Sequence, residues 1–165
     1  LYNAMSPLTS REPGVVGAAL ADPHSWCGVI LDGLHVHPLA VKVALAAKPK
    51  GKLLIVTDAM SPVGTSQTEF DFFDGKVIRD GNKLTNLNGN LAGSVLDMAS
   101  AVSYAVKELG LELSEAVRMA SLYPAEFLGI SAERGQILVG AKADLVLLND
   151  EGLVQQCWLE GRPAI

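Results

Sequence analysis

The sequence predicts an α/β fold built on parallel strands, and three observations carry that expectation. Leu53-Leu54-Ile55-Val56-Thr57 is an apolar run that ends on a carboxylate, Asp58. Such a run reads as a strand buried on both faces, and parallel-sheet folds place their chemistry at the carboxyl ends of their strands. Residues 26–31 form a second near-continuous apolar run. Between the two, Pro38 opens a helical period through Val41, Ala44, Leu45 and Lys48 that Pro49 and Gly51 close, since proline suits a first turn where its missing N–H is not needed. Strand, loop, helix and strand make one βαβ unit, so the loop after the first strand and Asp58 belong on the same rim of the sheet.

Ahead of this unit, Ser10-Arg11-Glu12-Pro13-Gly14 reads as a loop and residues 15–20 as a short helix of small apolar residues. Behind it the character changes from about residue 66 to 93. Asp74-Gly75, Asp80-Gly81 and Asn88-Gly89 are hairpin-turn dipeptides set between short runs such as 70–73 and 76–78, which predicts a small antiparallel insertion. Ser94-Val95-Leu96-Asp97 has the form of a capping box. Leu96, Ala99, Val102, Ala105, Val106 and Leu109 then make an apolar stripe that stops at Gly110, the pattern of an amphipathic helix with a glycine end. Ser114 opens a second helix to about Ser121, and Pro124 a third that ends near Gly129. Strands resume at 135–137, 143–148 and 154–159.

At 165 residues, 49% apolar and 19% charged, the chain can bury one good core and suits one domain or one with a small appendage. Its net charge of -5 and scattered Lys and Arg form no basic stripe, which argues against a nucleic-acid partner. Cys27 and Cys157 lie far apart in apolar surroundings and read as buried thiols in a reducing compartment, so a cytoplasmic location is expected. No apolar run approaches the roughly 20 residues of a membrane span, and the N-terminus lacks the form of a signal peptide. The opening Leu1-Tyr2-Asn3-Ala4-Met5 has no initiator methionine and reads as a start within a domain, hence a fragment.

Asp58 admits two readings on position alone, a catalytic carboxylate or a cap for the following turn. Two further segments point to a family. The tail Gly135-Gln136-Ile137-Leu138-Val139-Gly140-Ala141-Lys142-Ala143-Asp144-Leu145-Val146-Leu147 resembles the closing motif of the amidohydrolase superfamily. Residues 3–14, Asp32-Gly33-Leu34-His35-Val36-His37 and Thr57-Asp58-Ala59 resemble the N-acetylglucosamine-6-phosphate deacetylase family within it. The resemblance runs along essentially the whole chain. It implies the C-terminal part of a (β/α)8 TIM-like barrel over residues 1–130, with the antiparallel insertion at about 66–93, and part of a β-sandwich over 131–165. A complete barrel needs about 250 residues.

The same resemblance implies hydrolysis of N-acetylglucosamine 6-phosphate to glucosamine 6-phosphate and acetate, assisted by a divalent metal, often zinc, in a homodimer. A metal makes water a sufficient nucleophile by lowering its pKa to roughly 7. The family's metal ligands, a glutamate and two histidines, would precede this chain, which alone is then expected to be inactive. Asp58 is the one residue here that the resemblance allows near a metal, and its implied role is general base and then acid. Arg11 and the backbone at Asn3 and Ala4 would bind the phosphate, Arg11 from its own chain or across the dimer interface. His35 would bind substrate, and Leu91-Ala92-Gly93 would line the sugar site, with Gly93 allowing close approach. Each has a plainer alternative: a solvated charge for Arg11, a ring tied to neighbouring backbone for His35, a simple turn for Gly93. His35 and His37 as a pair without a third ligand make a weak zinc site, so His37 is assigned to helix entry or surface. His24, in a polar turn, is assigned no function. An amidohydrolase acting on another amide, such as a cyclic one, and a non-catalytic binding module remain as alternatives.

Overall fold

A computed structural model describes residues 1–73 and 75–164; Asp74, of the Asp74-Gly75 turn, lies outside the described residues. The first four elements are α1 (Gly14–Ala21), β1 (Cys27–Ile30), α2 (Pro38–Ala47) and β2 (Leu53–Val56). β1 and β2 pair in parallel, with Cys27 opposite Leu53 and Ile30 opposite Val56. Both strands therefore leave the sheet at one edge, the first into Asp32 and the second into Asp58, as the βαβ reading requires. Pro38 occupies the first turn of α2, and His37 is its cap, the ring Nδ1 accepting the Leu39 N–H at 3.2 Å. That is the helix-entry role expected of it.

Lys48 follows α2 and is buried. Its ammonium donates to the carbonyls of Ala19 at 2.9 Å and Asp22 at 2.6 Å and to the Ser25 hydroxyl at 3.1 Å. A buried cation is tolerated only when saturated in this way, and here it also meets the negative end of α1.

The core packs around the parallel pair. Val29, Leu31 and Ile55 pack with Val41 and Ala44 of α2 and with residues of three later helices, α3 (Met98–Lys107), α4 (Leu113–Ala120) and α5 (Leu122–Phe127). Ala101 and Ala105 of α3 and Ala116 of α4 are fully buried; alanine at these positions lets the helices approach the strands closely. α3 begins later than the capping-box pattern suggests. Its cap is Asp97, whose carboxylate accepts the Ser100 N–H at 2.8 Å and the Ser100 hydroxyl at 2.6 Å. A carboxylate makes stronger bonds than a hydroxyl to the free N–H groups of a helix start, and Ser94 is committed to a strand.

That strand closes the insertion. β3 (Glu69–Phe72), β4 (Gly75–Asp80), β5 (Lys83–Asn86) and β6 (Leu91–Ser94) form a four-stranded antiparallel sheet in chain order, close to the expected 66–93. Gly81 sits between paired Asp80 and Lys83 with φ +59°, the left-handed backbone that a two-residue hairpin turn needs.

At the C-terminus, β7 (Leu145–Leu148), β8 (Val154–Leu159) and β9 (Arg162–Pro163) form a three-stranded antiparallel sheet. The strand expected at 135–137 is absent. Gly135 instead lays its backbone on α5: a Cβ there would stand 2.8 Å from the Ser121 carbonyl oxygen and 2.7 Å from the Ala125 Cβ, so the segment docks on a helix and has no strand neighbour. Arg134 pairs with Asp144 and Glu160, and Lys142 reaches Glu160 at 3.0 Å, which ties this loop to the sheet. Cys27 is a buried free thiol and Cys157 a half-buried one. Among the described residues no helix is long and apolar enough to cross a membrane.

Candidate functional site

Asp58 leaves β2 with φ +55°, and Tyr2 and Asn3 opposite it have φ +68° and +32°. Left-handed backbone at a non-glycine residue costs on the order of 1–3 kcal/mol and concentrates at working sites. These three residues line one groove of about 470 Å³, together with Ala4 and with Gly28, Ile30 and Val56 from the strand face away from the helices. The opening segment is held in place by specific bonds. The Leu1 amino group donates to the Gly28 carbonyl, the Tyr2 hydroxyl donates to the Ala40 carbonyl at 2.8 Å, and the Met5 N–H closes a turn on the Tyr2 carbonyl at 2.7 Å.

The Asp58 side chain is exposed and accepts no hydrogen bond among the described residues. Among these residues it therefore caps nothing. What fixes the turn is the backbone. The Ser94 N–H donates to the Asp58 carbonyl at 2.8 Å, the Ser94 hydroxyl donates to the Thr57 carbonyl at 2.6 Å, and the Met60 N–H donates to the Ser94 carbonyl at 2.9 Å. Ser94 is 1% exposed. Sequence reasoning missed this residue, because serine beside an apolar stripe reads as a helix cap.

Gly93 has φ +75°, and a Cβ there would stand 2.3 Å from the Met60 Cγ and 3.1 Å from the Asp58 carbonyl oxygen. Leu91, Ala92 and Gly93 thus lie on β6, which bonds to the Asp58 turn through Ser94, but they do not line the groove itself.

The loop after β1 holds a second polar unit. Asp32 Oδ1 accepts the N–H groups of Leu34 and His35 at 2.9 and 3.0 Å, and Oδ2 lies 2.6 Å from His35 Nδ1. The two side chains are only 7% and 3% exposed. His35 Nε2 is buried with no partner among the described residues, which costs roughly 1–3 kcal/mol and marks an atom that awaits one. Burial pushes the Asp32 carboxyl up, but the bonds from the His35 and Leu34 N–H groups and the His35 ring outweigh it and hold it below the usual range. For Glu115 burial is likewise outweighed, by bonds from Arg118, Tyr123 and Lys50.

A depressed carboxyl contributes stability that is whole above its unfolded value, about 3.9 for Asp and 4.3 for Glu, and is lost as the pH falls through its folded value. The melting temperature is therefore expected to drop as the pH falls below about 4, and less steeply in Asp32→Asn. A flat profile below that pH in thermal melts would contradict both shifts.

Arg11 is exposed, at a turn closed by the Thr9 N–H to the Glu12 carbonyl at 2.9 Å and the Glu12 N–H to the Thr9 hydroxyl at 3.0 Å. It has no ion-pair partner among the described residues and does not line the groove. His24 sits in a turn closed on Asp22. The structure thus brings Asn3, Ala4 and Asp58 together, sets His35 on the same rim, and leaves Arg11 apart. Among the described residues no three His, Cys, Asp or Glu side chains gather to hold a metal ion.

The amidohydrolase family model matches residues 31–163. The chain is 56% identical over 161 residues to the N-acetylgalactosamine-6-phosphate deacetylase of Shewanella sp. (strain ANA-3), covering 98% of this chain and 41% of that protein. It is 37% identical over 151 residues to the N-acetylglucosamine-6-phosphate deacetylase of Bacillus subtilis (strain 168), covering 92% of this chain and 38% of that one. The crystal structure of N-acetylglucosamine-6-phosphate deacetylase from Pasteurella multocida superposes with a TM-score of 0.95 at 36% identity, covering 99% of this chain and 43% of the other. The chain thus spans about two fifths of the length of these relatives. Since the match runs from the Asp32 loop through the last strand, and the alignments extend over nearly every residue, this chain belongs to the amidohydrolase family.

Proposed function

We propose that this chain supplies the acid–base residue of a hydrolase that removes the acetyl group from an N-acetylhexosamine 6-phosphate, N-acetylglucosamine 6-phosphate in the sequence reading. The observation that carries it is Asp58: a strand-end carboxylate in left-handed backbone, without a partner among the described residues, across a groove from Asn3 and Ala4. Asp58 takes the proton of the attacking water as the C–O bond to the acetyl carbon forms. It returns that proton to the amide nitrogen as the C–N bond breaks, leaving acetate and the amino sugar phosphate. Phosphate recognition falls to the backbone at Asn3 and Ala4 and to Arg11, whose exposure away from the groove favours a role across a homodimer interface. Leu91-Ala92-Gly93 and His35 meet the sugar.

β1 and β2 serve in this reading as strands of a (β/α)8 barrel over residues 1–130, and residues 131–165 as part of a β-sandwich. Family membership suggests metal dependence, zinc in the sequence reading, and Asp58 could offer one ligand. The described residues do not assemble a three-donor site, so no step is assigned to a metal here, and the 165-residue chain alone is expected to be inactive. A cytoplasmic setting fits its free thiols.

The 56% identity to an N-acetylgalactosamine-6-phosphate deacetylase favours a second reading, in which the sugar is the C4 epimer. Measuring kcat/KM for both epimers, with and without phosphate, and for a cyclic amide separates the cases. Preference for the galacto sugar selects the second reading, and turnover of the cyclic amide alone overturns both.

In the active, metal-loaded enzyme carrying this sequence, Arg11→Ala is expected to lower kcat/KM for the sugar phosphate roughly 10- to 100-fold, the worth of a charge-assisted bond. The unphosphorylated sugar should be nearly unaffected. Equal losses on both would make Arg11 structural.

A further inference from the structure

We propose that Asp32 is a positioning residue for His35: its carboxylate keeps the ring proton on Nδ1 and so fixes Nε2 as the atom presented to the substrate. The inference rests on the reading of His35 as a substrate-binding residue and adds a residue to which no role has been given.

A carboxylate can only accept, so a 2.6 Å contact from Oδ2 to Nδ1 requires the hydrogen to sit on Nδ1. The carboxylate cannot turn away, because Oδ1 is held by the Leu34 and His35 N–H groups at 2.9 and 3.0 Å. The turn is closed from the other side as well. Gly33 has φ +75°, and a Cβ there would stand 3.0 Å from the Tyr104 hydroxyl of α3. Both carboxylate oxygens of Asp32 are therefore in use, and one buried ring atom, Nε2, has no partner among the described residues.

Its place is also significant. Asp32 follows Ile30 by two residues and Asp58 follows Val56 by two, and Ile30 and Val56 are register partners. Asp32 therefore belongs to the same rim as the proposed acid–base residue, and the buried His35 ring lies against it. With Nδ1 protonated, the neutral ring accepts a sugar hydroxyl at Nε2. The wrong tautomer at such a pair disables a site whose geometry is otherwise intact.

The test is long-range 15N–1H correlation NMR on the full protein labelled with 15N-histidine, at alkaline pH where an imidazole is neutral. Wild-type His35 is expected to carry its proton on Nδ1. In Asp32→Asn the one amide oxygen stays with the backbone N–H groups and the NH2 faces Nδ1, so the proton should move to Nε2. A wild-type proton on Nε2, or an Asp32→Asn spectrum with the tautomer unchanged, overturns the proposal; the wild-type measurement decides even where the variant fails to fold. N-acetylglucosamine 6-phosphate should shift the wild-type Nε2 resonance, and Asp32→Asn should lower kcat/KM at least about 10-fold. If the tautomer is as stated but neither effect occurs, the substrate-binding reading of His35 fails and with it the positioning role. A tautomer error alone leaves that reading standing.

Discussion

Asp58→Asn in the metal-loaded enzyme is expected to lower kcat by about 10²–10⁴-fold, the usual loss for a general acid–base group, with KM and the melting temperature close to wild type. The asymmetry follows from where the carboxylate acts. Proton transfer belongs to the transition state and contributes little to ground-state affinity. The side chain is exposed and accepts no bond among the described residues, so folding does not depend on its charge. Asparagine also tolerates the left-handed backbone, φ +55°, at this position. Steady-state kinetics beside thermal melting and metal content make the measurement. A near-wild-type kcat rules out the acid–base role. Loss of activity together with metal would assign Asp58 to metal binding, and loss together with unfolding would make it a structural residue.

Gly93→Ala is expected to lower both stability and activity. The left-handed backbone costs an L residue about 1–2 kcal/mol, and the added methyl would meet Met60 at 2.3 Å and the Asp58 carbonyl oxygen at 3.1 Å. The first contact can relax, since methionine is adaptable, whereas the second pushes on the backbone of the proposed acid–base residue. We expect a fall in melting temperature of several degrees, as about 1 kcal/mol gives in a domain of this size. A loss of kcat of at least about 10-fold should accompany it, because small misplacements of reacting groups are costly. Adding Met60→Ala should recover part of the melting temperature and little of the kcat. Wild-type values for both in the single variant would show that β6 need not lie close on the Asp58 turn.

The parallel pair was legible because its runs are apolar without alternation, and the helices because proline or glycine punctuates them. His37 at a helix entry and the hairpin glycines follow from local rules alone. The start of α3 was misread because two capping residues, Ser94 and Asp97, stand three apart, and only the pairing of β6 with β5 decides between them. The strand expected at 135–137 failed because an apolar run says nothing of whether a neighbouring strand is there to pair with it. In the candidate site, the carboxylate was visible as the end of a buried run. The clamp by Ser94 was not, since it joins residues 37 apart in sequence and no spacing rule reaches that far.

The clamp has a mechanical consequence. Three hydrogen bonds couple Ser94 to Thr57, Asp58 and Met60, and Ser94 terminates a sheet that projects from the rim through β3, β4 and β5. The insertion is therefore hinged to the Asp58 turn at one buried residue, Ser94. A tilt of the hairpins is then felt at the carbonyls on either side of the Asp58 side chain, so residues 91–93 and the carboxylate, for which sugar contact and proton transfer are proposed, shift together.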